Sequence, residues 1–264
     1  MIDIIFFVAT IIFIYMTSWY LLSVILKRND IADIAWGLGF IVVATSLLFK
    51  YGINTINFVM VFLLTSIWGI RLSTHIFLRN KNKKEDKRYL AWRESWGKWF
   101  YIRSYLQVFL LQGFFMLLIS MSAIVASFMY QEDLIIIRLK DLNIINILGI
   151  LIWSIGFIFE SFGDYQLFSF LKNPMNKGKI MRSGLWKFTR HPNYFGEVSQ
   201  WWGMFLIVAT LPYGLLAIVS PLTISWLILK VSGIPITEKP YENNVEFIEY
   251  KKVTNAFFPW FPKK

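Results

Sequence analysis

The sequence predicts an all-α, polytopic membrane protein of about seven transmembrane helices, with the N-terminus outside and the C-terminus cytoplasmic. Three observations predict it. Of the 264 residues, 56% are hydrophobic and only 16% charged, with a mean hydropathy of +0.53, whereas soluble domains carry about a quarter of charged residues. The apolar residues fall in runs of about 20, the length that crosses the hydrocarbon core of a bilayer. The 27 Lys and Arg segregate strongly between alternate connections, as cytoplasmic loops of membrane proteins do.

The runs cover 2–26, 31–49, 55–78, 105–130, 144–168, 195–211 and 213–231. The first lacks a basic leader and a small-residue cleavage site, so it reads as a helix and not a signal peptide. The last two are separated by Leu211-Pro212-Tyr213-Gly214, a Pro and Gly pair suited to a tight reversal. With the N-terminus outside, 23 of the basic residues fall on the cytoplasmic side; only Lys50, Arg138 and Lys140 fall opposite, and Arg71 lies inside a run. An even number of crossings would destroy this asymmetry. No internal repeat or linker interrupts the chain, which reads as one integral membrane domain over 1–264 with a basic loop near 79–104 and a tail near 232–264.

These features exclude several classes. A chain without cysteine has no disulfide framework, thiolate nucleophile or cysteine-ligated metal; no metal site is expected. The net charge of +11 reports cytoplasmic loops and not a nucleic-acid partner. A transporter is disfavoured because no inverted repeat is evident.

Ionisable residues within a run are costly in lipid and mark functional candidates, with structural pairing as the competing reading. They are Asp33, Arg71, His75, Glu160, Asp164 and Glu197, and the predicted orientation places all six toward the cytoplasmic ends of their helices. Arg71, His75 and Arg79 share a helical face, as do Glu160 and Asp164, and Asn193 and Glu197. Gly149, Gly156 and Gly163 recur every seven residues near the face of the acidic pair, a pattern for close helix packing in lipid. Trp92, Trp96, Trp99, Tyr101 and Tyr105 suit an amphipathic helix at the membrane surface.

A compact polar cluster lies where a loop enters the membrane, in Gly184-Leu185-Trp186-Lys187-Phe188-Thr189-Arg190-His191-Pro192-Asn193-Tyr194-Phe195-Gly196-Glu197. Arg190 and His191 are suited to phosphates, Asn193 and Glu197 to an amide or ribose. The structural alternative is neutralisation of Arg190 by Glu197 across one turn. This segment resembles the C-terminal signature of the steroid 5-alpha-reductase superfamily, and within it bacterial members known only as a domain of unknown function. The resemblance includes Asp33-Ile34-Ala35-Trp36-Gly37, Glu85 to Tyr89, Phe159-Glu160 with Asp164-Tyr165-Gln166, and a tail from Ser232 through Glu238, Tyr241 and Tyr250 to Trp260. It is strongest from about residue 150 onward.

The resemblance implies a seven-helix membrane reductase that binds NADPH at its cytoplasmic end and reduces a double bond in a lipophilic enone; in a cell with one membrane system the plasma membrane is the default location. It maps the cofactor site onto Glu160, Asp164, Lys172, Arg182, Asn193, Tyr194 and Glu197, to which the local chemistry adds Arg190 and His191. No G-x-G-x-x-G occurs, so no Rossmann fold holds the nicotinamide. Lys172, Lys177, Lys179 and Arg182 are either a seat for its phosphates or plain cytoplasmic charge. Asp33, Arg71 and His75 are the candidates for the catalytic end, where negative charge on the substrate carbonyl needs a donor. The family's Glu and Tyr pair has no counterpart that can be placed here. Membrane methyltransferases of the isoprenylcysteine or phospholipid type, which use S-adenosylmethionine, share an Arg-His-Pro-x-Tyr-x-Gly segment; their tail carries two adjacent glutamates where this chain has Thr237-Glu238.

Overall fold

A computed structural model describes residues 1–53, 55–128 and 142–263. Arg138, Lys140, Lys264 and the last two residues of the expected run 105–130 lie outside the described residues. All regular structure among the described residues is helical. The chain divides into two compact units, residues 1–143 with 208–219, and residues 144–207 with 220–264.

In the first unit, α1 (Ile2–Leu26), α2 (Ile31–Tyr51) and α3 (Ile56–Asn80) follow the expected runs closely. Thr55 caps α3 by accepting from Phe58 N. The α2 and α3 backbones approach at Gly37 and Gly69: a Cβ on Gly69 would lie 2.6 Å from Gly37 O. Beside this crossing Ser73 Oγ donates to Ile34 O at 3.0 Å, and Phe40 and Trp68 fill the core. The basic segment 79–104 is not simply a loop. It becomes helical at α4 (Lys87–Trp96), because Asp86 accepts from Arg88 N, and continues through Gly97–Trp99, α5 (Phe100–Arg103) and a π-helical run, Ser104–Leu110, into α6 (Leu111–Ile119). A short α7 (Met121–Ser127) follows. The reversal expected at 211–214 is present: Tyr213 takes a left-handed φ of 62°, and a Cβ on Gly214 would collide with the carbonyls of Val208 and Ala209.

The second unit is built on α8 (Ile144–Lys172) and α9 (Pro192–Val208), followed by α10 (Val219–Trp226), α11 (Ile234–Glu238) and α12 (Val245–Val253). The predicted glycine stripe is the contact surface. A Cβ on Gly149 would meet Gly203 O at 2.7 Å, one on Gly156 would meet Gly196 O at 2.6 Å, and Gly163 faces Pro192 and Asn193. The opposite face of α8 exposes Leu148, Leu151, Ile155, Ile158 and Phe162, while Glu160 is only 2% exposed. A helix with its apolar stripe outward and its small and polar stripe inward is adapted to lipid and not to water.

Among the described residues, six helical stretches are long and apolar enough to cross a membrane, with Lys87–Ile119 and Gly214–Tyr241 joining the four runs at Ile2–Leu26, Ile31–Tyr51, Ile56–Asn80 and Ile144–Lys172. The remaining expected crossing, 195–211, is α9, a helix of 17 residues, about 25 Å long at 1.5 Å per residue. It begins at 192 because Pro192, with no N–H to lose, suits the first helical turn.

Replacing Gly156 by Leu should lower the thermal stability of the detergent-purified protein by at least about 1–3 kcal/mol, since the added atoms meet backbone. Leu151→Ala, on the exposed stripe, should leave the Tm within about a degree; equal losses would contradict this packing.

Candidate functional site

The segment from Gly184 to Tyr194 is held by the tail of the same unit. Trp186 Nε1 donates to Gly163 O at 3.1 Å and Leu185 N to Gln166 Oε1 at 3.0 Å, which fixes the loop on α8. From the other side Arg190 N donates to Asn255 O at 2.9 Å, Thr189 Oγ1 to Phe257 O at 2.8 Å and Trp260 N to Phe188 O at 2.9 Å. Tyr250, in α12, donates its hydroxyl to Trp186 O; burial pushes its pKa above the ordinary phenol value, so it stays a donor.

Within this frame Arg190 and His191 share one carboxylate. Arg190 Nε lies 2.9 Å and His191 Nε2 3.0 Å from Glu238 Oε1, with Lys251 Nζ 3.4 Å from Oε2. Arg190 Nη1 also donates to Thr254 O at 2.5 Å. The side chains of Arg190, His191 and Glu238 are no more than 10% exposed. The partner of Arg190 is thus the distant Glu238 and not Glu197, the neighbour one turn along the sequence. An ionised carboxylate only accepts, so His191 carries its proton on Nε2. Its ring stacks on Tyr194 with centroids 5.2 Å apart, and the Tyr194 hydroxyl bonds Thr237 Oγ1 at 2.9 Å.

Two polar pairs cross from α8 to α9. Asn193 Nδ2 donates to Asp164 Oδ1 at 3.0 Å, and Gln200 Nε2 to Glu160 Oε2 at 2.5 Å. Asn193, Gly196, Gln200 and Gly203 share the α9 face turned to α8. The acidic pair therefore lies against a neighbouring helix, as its position beside the glycines implied. Asn193 Oδ1 and Gln200 Oε1 are buried acceptors with no hydrogen-bond donor among the described residues. Glu197 is partly buried on α9. Lys172 ends α8 on the surface, and the exposed Arg182 pairs with Glu246 at 2.9 Å.

The three catalytic candidates belong to the first unit. Asp33 has both oxygens engaged: Tyr89 Oη donates to Oδ1 at 2.8 Å and Arg88 to Oδ2 at 3.2 Å. Arg88 also bonds Asp86 at 3.1 Å. Burial alone would raise the Asp86 carboxyl, but the Arg88 hydrogen bonds outweigh it and the pKa lies below the usual carboxylate range. Next to this, Glu85 accepts from Asn29 N at 2.6 Å and pairs with Arg93 at 3.2 Å, while Arg28 holds Asp30 at 2.7 Å. Arg88 and Arg93 of the expected surface helix therefore pair with carboxylates, Arg88 with the partly buried Asp33 and Asp86 and Arg93 with the buried Glu85. Arg71 and His75 lie one turn apart on α3, both partly buried. No group of three or more His, Cys, Asp or Glu suited to a metal occurs among the described residues.

Sequence reasoning missed Gln200 and Tyr89 as partners of Glu160 and Asp33. Gln200 had a signal, a polar residue seven positions from Asn193 on the glycine-bearing face; Tyr89 had none, because its partner is 56 residues away.

Burial pushes the His191 imidazole below its ordinary pKa of 6.5, with the Glu238 hydrogen bond pulling partly back and Arg190 opposing protonation. The native state then binds this proton less readily than the unfolded chain, so stability is highest above 6.5 and falls as pH drops toward the native pKa. Thermal unfolding between about pH 7.5 and 5 should show that loss in the wild type and a flatter profile in His191→Gln; parallel profiles would contradict it.

No solved structure matches the chain. A stretch of 67 residues is 36% identical to a protein of Ustilaginoidea virens described as "Probable O-methyltransferase ustE", covering 25% of this chain and 24% of that protein, so the match spans about a quarter of the relative's length. A family pattern matches far more of the sequence, residues 19–254, including every site residue predicted from the sequence. The chain therefore belongs to the family described as "Protein of unknown function (DUF1295)".

Proposed function

We propose that this protein is a membrane-embedded, NADPH-dependent reductase of a carbon–carbon double bond in a lipophilic enone, with its cofactor end facing the cytoplasm. The observation that carries the reading is the polar face at the start of α9, where Asn193 is held by Asp164 and keeps a buried acceptor, Oδ1, without a donor. A buried acceptor left unpaired costs on the order of 1–3 kcal/mol, and a carboxamide N–H or ribose hydroxyl fits it. Lys172, Lys177 and Lys179, exposed on the connection after α8, suit anionic phosphates.

When bound, the nicotinamide supplies a hydride; the protein's task is to hold it and to stabilise the oxyanion that forms on the substrate. Arg190 and His191 contribute by fixing the turn that aims Asn193 and Tyr194, since both are already committed to Glu238. Among the donor candidates, Asp33 acts as an acceptor for Tyr89 and Arg88 and so positions them. Arg71 and His75, one turn apart on α3, are the proposed donors.

The second reading, an S-adenosylmethionine-dependent methyltransferase, is favoured by the name of the Ustilaginoidea virens relative and by the Arg190-His191-Pro192-Asn193-Tyr194 segment. Against it stands Thr237-Glu238, one glutamate where that family has an adjacent pair, and its carboxylate is taken up by Arg190 and His191.

Ligand-induced thermal stabilisation of the full chain in detergent separates the two. NADPH is expected to raise the Tm, and Asn193→Ala to weaken its binding about tenfold. Stabilisation by S-adenosylmethionine with none by NADPH would overturn the reductase reading. Unchanged NADPH affinity in Asn193→Ala would remove that residue from the site.

A further inference from the structure

The tail of the second unit presents an apolar patch that plays no part in the proposed reaction. Phe258, Trp260 and Phe261 are 70%, 69% and 75% exposed, three large aromatic side chains in a short stretch of sequence. The segment is held firmly. Trp260 N donates to Phe188 O at 2.9 Å, Lys263 N to Val253 O at 2.8 Å, and Phe257 O accepts from Thr189 Oγ1 at 2.8 Å. Pro259 and Pro262 flank Trp260 and Phe261 and restrict the backbone there. The exposed rings are therefore displayed by a fixed backbone, on the same stretch of tail that brackets Arg190.

The position of the patch says what lies against it. It packs on the first turn of α9, where the Phe195 ring centroid is 5.7 Å from that of Phe257 and 6.3 Å from that of Phe258. Phe195 is in turn 5.2 Å from Phe159 on α8, beside Ile155, Ile158 and Phe162 of the exposed apolar stripe. An aromatic surface thus runs from the lipid-facing side of α8 to the tail. The start of α9 is also where a basic connection gives way to an apolar helix, with Lys187 exposed before it and Lys263 exposed just beyond the patch. Aromatic rings flanked by lysines at such a boundary have the composition of a membrane interface. With 17 residues, α9 is about 25 Å long, shorter than the roughly 30 Å hydrocarbon core. The tail rings extend its apolar surface past the first turn, which reduces that mismatch.

We infer that Phe258, Trp260 and Phe261 form an interfacial anchor, seated at the boundary between headgroups and acyl chains of the bilayer, with Lys187 and Lys263 toward the headgroups. The anchor fixes the tail at the level where α9 enters the membrane. It rests on the membrane character of α8 and α9 and is independent of the reductase reading.

The chain has no cysteine, so a single spin label can be placed at one chosen position. Trp260→Cys and Phe261→Cys, each labelled in the full chain in phosphatidylcholine nanodiscs, are compared with Glu249→Cys, whose side chain is 60% exposed on α12. The two tail variants remove mostly exposed rings and keep the backbone bond from residue 260, so both should melt with the wild type. Collisions with oxygen, which concentrates in lipid, and with a water-soluble nickel chelate are read from the label's relaxation. The ratio of oxygen to nickel collisions should be severalfold higher at 260 and 261 than at 249. A ratio equal to that at 249 would overturn the anchor, because the segment would lie in water. Low collision rates with both reagents would also overturn it, because the patch would then be covered by protein, such as a second copy of the chain.

Discussion

The carboxylate of Glu238 takes hydrogen bonds from Arg190 and His191 at the same oxygen, and the geometry of the α9 entrance follows from that sharing. A guanidinium that is 8% exposed is not tolerated without a counter-charge, because removing one partner of a buried pair leaves an unsolvated ion. The charge pair therefore forces the tail to return across the loop. Once there, the tail carbonyls of Thr254, Asn255 and Phe257 collect the donors of Arg190 and Thr189. With the turn fixed, Pro192 opens α9 and Asn193 comes into line with Asp164.

The bilayer imposes the complementary constraint on the helices. Lipid offers no hydrogen bonds and no hydrophobic drive between helices, so contact depends on close backbone approach and on polar pairs. The α8–α9 crossing meets both conditions on one face. Glycines at 149 and 156 admit the α9 backbone, and Glu160 and Asp164 find Gln200 and Asn193 across the gap. In the first unit the same solution recurs at Gly37 and Gly69, with Ser73 as the polar member.

What could be read from the chain divides along the same physical line. Apolar runs and the seven-residue glycine repeat are local periodicities, and they located α1, α2, α3, α8 and the packing face of α8. The polar partners were not local. Glu238 is 48 residues from Arg190, and Tyr89 is 56 from Asp33; no helical spacing encodes such pairs. The local rule even suggested the wrong partner, Glu197, for Arg190. A helix at 87–96 was legible from its aromatic and basic residues, but the partners of Arg88 and Arg93, carboxylates at the start of α2 and just ahead of α4, were not. The family match over residues 19–254 agrees with the reading of a domain of unknown function and leaves the chemistry to the site itself.

The central claim is that Arg190 and Glu238 act as one structural unit that holds the α9 entrance. A double-mutant cycle with Arg190→Met and Glu238→Gln, measured as unfolding free energy of the full chain in a single detergent, tests it directly. Each single variant should lose about 3 kcal/mol, and the double variant should lose much less than the sum, a coupling of about 2–3 kcal/mol. Additive losses would contradict the account.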